Sequence, residues 1–229
     1  MNPRPPNPII AAIDRSSMED AEELARSLVG EVGLLKVGLE LLWAHGPEAV
    51  ARVGRLGPVF VDGKLHDIPT TVERAAANIA SLGVGMLNVH ALGGEAMMRA
   101  ALAGARAGAD GAGVPIPMVI AVTVLSSQSG EELASPASLA YEAKAAGLDG
   151  VVVSGEDVRD VRGACGEDFC LVVPGIRPAG TNGDDQLRIL TPDEALERGA
   201  DYLVIGRPIT GADDPAAAAR AIRTSLASR

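Results

Sequence analysis

Val59-Phe60-Val61-Asp62-Gly63-Lys64-Leu65-His66-Asp67 reads as a short buried strand that runs straight into alternating charge. Val59, Phe60 and Val61 have the β-branched and aromatic character of strand residues. Strand alternation sends the Asp62 and Lys64 side chains to one face, and Asp67 follows just beyond. Two carboxylates beside one lysine favour its protonated form, which suits a proton donor. Taken alone, the run also fits a surface ion-pair cluster at a strand end.

Outward from this run, short apolar segments alternate with alanine-rich helical patterns. Strands are expected at 9–13, 33–37, 59–61, 86–89, 118–122, 150–153, 170–173 and 202–205. Helices are expected at 18–29, 47–55, 71–81, 95–102, 131–146, 157–164, 192–198 and 214–226. Alternating βα units imply a parallel sheet with its helices outside. Eight units in 229 residues fit a closed (β/α)8 TIM barrel of the α/β class, at its short end. A doubly wound open sheet is the rival, but no glycine-rich fingerprint follows the first strand. The glycine-rich stretch 103–113 is expected to connect the fourth helix to the fifth strand. No linker or shift in composition divides the chain, so 1–229 reads as one barrel domain with 1–7 as a flexible N-terminal tail.

The chain carries a net charge of −10 and an isoelectric point near 4.8. A sequence-independent nucleic-acid binder needs a phosphate-neutralising basic face, so that class is disfavoured. Aromatic residues make up 2% of the chain, which also argues against base-stacking platforms. No long apolar run precedes Asp14, so no secretory leader is read there, and no stretch reads as a membrane span. Cys165 and Cys170 have no histidine nearby and are expected to be buried free thiols of a cytoplasmic protein.

A barrel places its active site at the C-terminal ends of its strands. There the sequence puts Asp14, Lys36, Asp62, Lys64, His90, Thr123, Ser126, Ser127, Arg177 and Arg207. Their convergence on one rim argues against ten unrelated loop residues. Barrels often bind phosphate in the loops after strands 7 and 8. Pro174-Gly175-Ile176-Arg177 and Ile205-Gly206-Arg207-Pro208 each supply a glycine for close approach and an arginine for charged hydrogen bonds. The polar segment 178–186 could fold over a ligand as a lid, with Gln186 at its far edge. His45, His66 and His90 have no metal-site spacing, so a metal-free site is expected.

Asp62-Gly63-Lys64-Leu65-His66-Asp67-Ile68-Pro69 resembles the signature of the orotidine 5′-phosphate decarboxylase family. Ordered matches extend the resemblance over nearly the whole chain. They include Ile13-Asp14, Lys36-Val37-Gly38-Leu39-Glu40, Asn88-Val89-His90-Ala91-Leu92-Gly93-Gly94, Val122-Thr123-Val124-Leu125-Ser126-Ser127 and the two Gly/Arg segments. The resemblance implies decarboxylation of orotidine 5′-phosphate to UMP in pyrimidine biosynthesis, with no cofactor. It implies that Lys64 protonates C6, that Asp62 faces the substrate carboxylate, and that Lys36 and Asp67 complete the charge network. Asp14 and Lys36 would meet ribose hydroxyls, and Ser126 or Ser127 the pyrimidine. Arg177, Gln186, Gly206 and Arg207 would meet phosphate and lid. Asp67 and Thr71 would come from the neighbouring subunit of a homodimer with shared sites. Gly63, Leu65 and Thr70 depart from the family pattern without touching its charges. The rivals are Mg²⁺-dependent sugar-phosphate decarboxylases and synthases, a ribulose-phosphate epimerase, and a catalytically dead nucleotide-binding barrel.

Overall fold

The computed structural model describes residues 5–124, 134–178 and 190–227. Eight parallel strands close into a barrel in sequence order: β1 (Ile9–Ala12), β2 (Leu34–Val37), β3 (Val59–Leu65), β4 (Met86–His90), β5 (Met118–Val122), β6 (Gly150–Val152), β7 (Cys170–Val173) and β8 (Tyr202–Ile205). Pairing of Ile10 with Leu34 and of Ile10 with Val204 closes the ring through β1. The helices are α1 (Met18–Ser27), α2 (Leu39–His45), α3 (Pro47–Gly54), α4 (Pro69–Ala80), α5 (Gly94–Ala112), α6 (Pro136–Ala145), α7 (Val158–Cys165), α8 (Pro192–Arg198), α9 (Arg207–Thr210) and α10 (Pro215–Ala227). A single 3-10 turn, Ala91–Gly93, joins β4 to α5. The fold is the expected single (β/α)8 TIM barrel.

Strand alternation divides the core in two. Ile10, Leu34, Phe60, Met86, Ile120, Cys170 and Val172 fill the barrel interior. Their strand neighbours Ile9, Leu35, Val59, Val61, Leu87, Val119 and Leu171 pack outward under the helices. At the floor of the barrel Asp201 accepts the Leu171 N–H at 2.8 Å and pairs with Arg162 at 2.7 Å. Arg162 also donates to the Gly199 and Phe169 carbonyls. This tie joins α7, β7 and β8 at the end away from the expected active face. Cys165 and Cys170 are buried free thiols, as expected. Of the segment read as a tail, residues 1–4 lie outside the described residues. Asn7 bonds the Glu31 carbonyl and the Ile9 N–H.

One local reading is corrected. The stretch 103–113 is not a connector: α5 runs through it to Ala112, and Gly113 ends the helix in the left-handed region at φ 67°. Glycine lowers helix propensity, but tertiary packing decides here. A Cβ on Gly104 would stand 2.0 Å from the Glu73 carbonyl oxygen, and one on Gly108 would stand 2.1 Å from that of Ala77. The glycines let α5 lie directly on the backbone of α4. A further helical segment, α2, fills the stretch between β2 and α3.

This packing predicts opposite effects for two similar substitutions. Gly108→Ala should force α4 and α5 apart and cost about 1–3 kcal/mol. Gly111→Ala, on the same helix with nothing within 4 Å of its Cβ, should be neutral or gain up to about 1 kcal/mol. Denaturant titration of both variants checks the pair, and equal effects would refute the tight contact.

Candidate active site

The barrel interior changes character one layer above its apolar floor. In β2, Leu34 points inward, so Lys36 does too; in β3, Phe60 is followed two residues on by Asp62; in β4, Met86 is followed by Asn88. Lys36 is 8% exposed and Asn88 1% exposed. The Lys36 ammonium lies 3.3 Å from Asp62 Oδ2 and 3.3 Å from Asp14 Oδ1. The Lys64 ammonium lies 2.7 Å from Asp62 Oδ1. The result is a continuous chain Asp14–Lys36–Asp62–Lys64 across the C-terminal mouth.

Asp62 and Lys64 meet as expected, but not through regular strand alternation. Val61 pairs with Leu87 and Leu65 with Val89, so Asp62, Gly63 and Lys64 stand against the single residue Asn88. The strand therefore bulges. Lys64 takes φ 49°, the single positive φ of a non-glycine among the described residues. Asn88 fills the gap: its Oδ1 accepts the Lys64 N–H at 2.7 Å, and its Nδ2 donates to Asp62 Oδ1 at 2.7 Å.

Burial would push the Asp62 carboxyl up, but Lys36 and Lys64, with hydrogen bonds from Lys64 and Asn88, hold it below the usual carboxylate range. A group lowered on folding adds stability above its unfolded value and loses it as pH falls through the folded one. The network therefore helps stability near neutrality and stops helping in acid. Burial, aided by the nearby His66 and Lys64, lowers the His90 imidazole. The His66 and His90 rings lie 5.4 Å apart, tilted by 32°.

The other expected residues do not share one setting. Asp14 is half exposed above Lys36. Arg177, just past β7, is buried, and its backbone N–H donates to the Leu190 carbonyl at 3.0 Å. Gly206 caps α9, and Arg207 is that helix's first residue. Asp67 and Thr71 stand exposed at the start of α4, where Asp67 accepts the Ile68 N–H at 2.7 Å. Within one chain none of the described ion pairs includes Asp67. Ser126, Ser127 and Gln186 lie outside the described residues. Thr123 does not face the mouth: it is buried, and its hydroxyl donates to the Val152 carbonyl at 3.0 Å. No group of three or more His, Cys, Asp or Glu among the described residues is placed to hold a metal. No described helix is long and apolar enough to cross a membrane.

Three residues were not assigned roles from sequence. Asn88 is one, readable only once the bulge is known. Gly38 is the second: a Cβ there would stand 2.7 Å from the Lys36 ammonium and 3.1 Å from Asp14 Oδ1. The absent side chain makes room for the ion pair. Arg15 is the third, since it donates to the Thr210 carbonyl at 2.5 Å and so braces α9 against the loop after β1.

A groove beside β3 is lined by Leu39, Leu42, Trp43, Val50, Val61, Gly63, Leu65, Ile79 and Leu82. Trp43 is 86% exposed and Ile68 67% exposed. The bulged strand that carries Asp62 and Lys64 is thus also the floor of an apolar surface.

The family model described as Orotidine 5'-phosphate decarboxylase / HUMPS family matches residues 7–222. A protein of Moorella thermoacetica named orotidine 5'-phosphate decarboxylase is 49% identical, over 95% of this chain and 91% of its own. One of the same name from Anaeromyxobacter dehalogenans is 50% identical, over 97% of this chain and all of its own. The crystal structure of orotidine 5'-phosphate decarboxylase from Lactobacillus acidophilus matches at a TM-score of 0.84 and 36% identity, covering 96% of this chain and 99% of that one. The chain belongs to the orotidine 5′-phosphate decarboxylase / HUMPS family.

Proposed function

We propose that the chain converts orotidine 5′-phosphate to UMP and carbon dioxide with no metal or organic cofactor. The observation that carries this reading is the Lys36–Asp62–Lys64 alternation, at 3.3 Å and 2.7 Å, in the mouth of the barrel. The bond from C6 to the carboxylate breaks, and its electron pair stays on C6. The Lys64 ammonium stabilises that charge and gives C6 its proton; the amine then regains one from water. Asp62 faces the departing carboxylate and opposes the ground state more than the transition state, because that negative charge leaves as neutral carbon dioxide. Lys36 holds Asp62 ionised and, with Asp14, binds the ribose hydroxyls. Arg177, Gln186, Gly206 and Arg207 bind the phosphate, so that remote binding energy organises the reacting end. Ser126 or Ser127 meets the pyrimidine.

The same reading makes the active unit a homodimer of the cytoplasm with Asp67 and Thr71 serving the partner's site. Two features support it. Asp67 and Thr71 project from one chain beside the exposed Ile68, and the apolar groove with Trp43 shares its floor with the catalytic strand. A second copy would cover that groove and bring its own Asp67 toward Lys64.

Purified protein treated exhaustively with EDTA should still deplete the ultraviolet absorbance of orotidine 5′-phosphate at the untreated rate. Activity lost with EDTA and restored by Mg²⁺ would favour the sugar-phosphate branch of the family.

Lys64→Ala should abolish turnover while UMP still binds, because the lysine serves the chemistry rather than the phosphate. Arg207→Ala should weaken phosphate binding by about 1.5–3 kcal/mol, the range for a charged hydrogen bond. Its defect should shrink on a substrate lacking phosphate. Near wild-type kcat in Lys64→Ala, or an equal Arg207 defect on both substrates, would remove the assigned role.

Mixing Lys64→Ala chains with Asp67→Ala chains should restore activity that neither parent has. Random pairing makes about half the dimers hybrid, and in each of these one site takes intact Lys64 and Asp67 from different chains, so about a quarter of all sites recover. Hybrid dimers seen by mass spectrometry without recovered activity would show that Asp67 serves its own chain.

A further inference from the structure

We infer that Asn88 is the positioning residue of this site: its one carboxamide fixes the Asp62 carboxylate and the Lys64 backbone together, and so sets where the Lys64 ammonium can reach. The inference rests on the decarboxylase reading above and adds a residue to it. The need arises from the strand itself. Three residues of β3 stand opposite one of β4, so the peptide hydrogen bonds of a regular ladder are missing where the two catalytic charges sit. Lys64 is further held in the left-handed region, which a side chain occupies only when its surroundings hold it there.

Asn88 answers both demands. Its Oδ1 takes the Lys64 N–H, the group that the bulge would otherwise leave without a strand partner. Its Nδ2 donates to Asp62 Oδ1, the same oxygen that receives the Lys64 ammonium, while Asp62 Oδ2 faces Lys36. The carboxylate is thereby held at both oxygens by donors from β2, β3 and β4. The orientation of the amide follows from chemistry, because a flipped Asn88 would set a donor against an N–H and an acceptor against a carboxylate. Among side chains of this size, only a carboxamide or a protonated carboxyl offers an acceptor and a donor from one planar group. Asn88 is 1% exposed and both its bonds are internal, so it acts through Asp62 and Lys64 rather than on substrate.

The test uses the full-length protein with two variants, Asn88→Ala and Asn88→Asp. Asn88→Ala should lose at least 100-fold in kcat, with UMP affinity within about threefold of wild type because the phosphate and ribose contacts lie elsewhere. The acid limb of its kcat/KM profile should move to higher pH, since Asp62 has lost a donor while Lys36 and Lys64 still face it and His90 lies nearby. Asn88→Asp should be at least as impaired at neutral pH, where a second carboxylate faces Asp62, and should regain activity as pH falls, because the protonated carboxyl again offers an acceptor and a donor. Asn88→Ala should show no such recovery. Independently of turnover, exchange of the Lys64 backbone N–H should be at least tenfold faster in Asn88→Ala than in wild type. A kcat within threefold of wild type, or unchanged Lys64 exchange, would overturn the inference. So would failure of both variants to fold, which would make Asn88 a residue of the fold alone. Wild-type protein inactive on orotidine 5′-phosphate would sink the decarboxylase reading instead, and the exchange measurement would still decide the role of Asn88.

Discussion

The Asp62 carboxylate is the fixed point of this molecule. It sits inside a barrel whose next layer down is Phe60, Leu34 and Met86, where a lone carboxylate would take up a proton. Lys36 and Lys64 reverse that outcome, and Asn88 adds a neutral donor. Each of these partners has a structural consequence. Lys36 needs the space that Gly38 leaves open. Lys64 reaches Asp62 from a bulged strand in a backbone conformation unusual for its residue type. Asn88 must be buried to bridge the gap.

The barrel makes this arrangement accessible at low cost elsewhere. Parallel strands buried on both faces keep strict alternation, so one set of side chains can be polar at the mouth while its neighbours remain apolar under the helices. The structural ion pair of Arg162 and Asp201 lies at the opposite end, and the direct contact of α4 with α5 secures the helix that follows Asp67 and carries Thr71 in its first turn. Irregularity is concentrated in β3, which serves both the interior and the apolar outer groove.

Element order and barrel closure were legible from the sequence because βα alternation with buried strands leaves few other architectures. Lys36, Asp62 and Lys64 were legible because each lies at or just past the end of an apolar run. The bulge was not, since Gly63 between two charges reads equally well as regular strand. Asn88 was hidden for the same reason: a single polar residue in Met86-Leu87-Asn88-Val89-His90 acquires meaning only opposite three residues of β3. The end of α5 was misread because Gly104 and Gly108 lower local helix propensity, whereas their role is long-range contact with α4. Thr123 was placed at the mouth by its position after β5, but its hydroxyl is spent on the β6 backbone.

The central claim is that neighbouring cations outweigh burial at Asp62, and its own titration tests this most directly. Carboxyl-labelled aspartate, followed by carbon-13 NMR through acid with Asp62 assigned by substitution, reports that equilibrium in the folded protein. The account predicts a midpoint below the ordinary aspartate value of about 3.9. It also predicts a rise when Lys36 is replaced by methionine, because burial is then less fully opposed. A midpoint at or above the ordinary value in the unsubstituted protein would show that desolvation wins, and would contradict the account of the site.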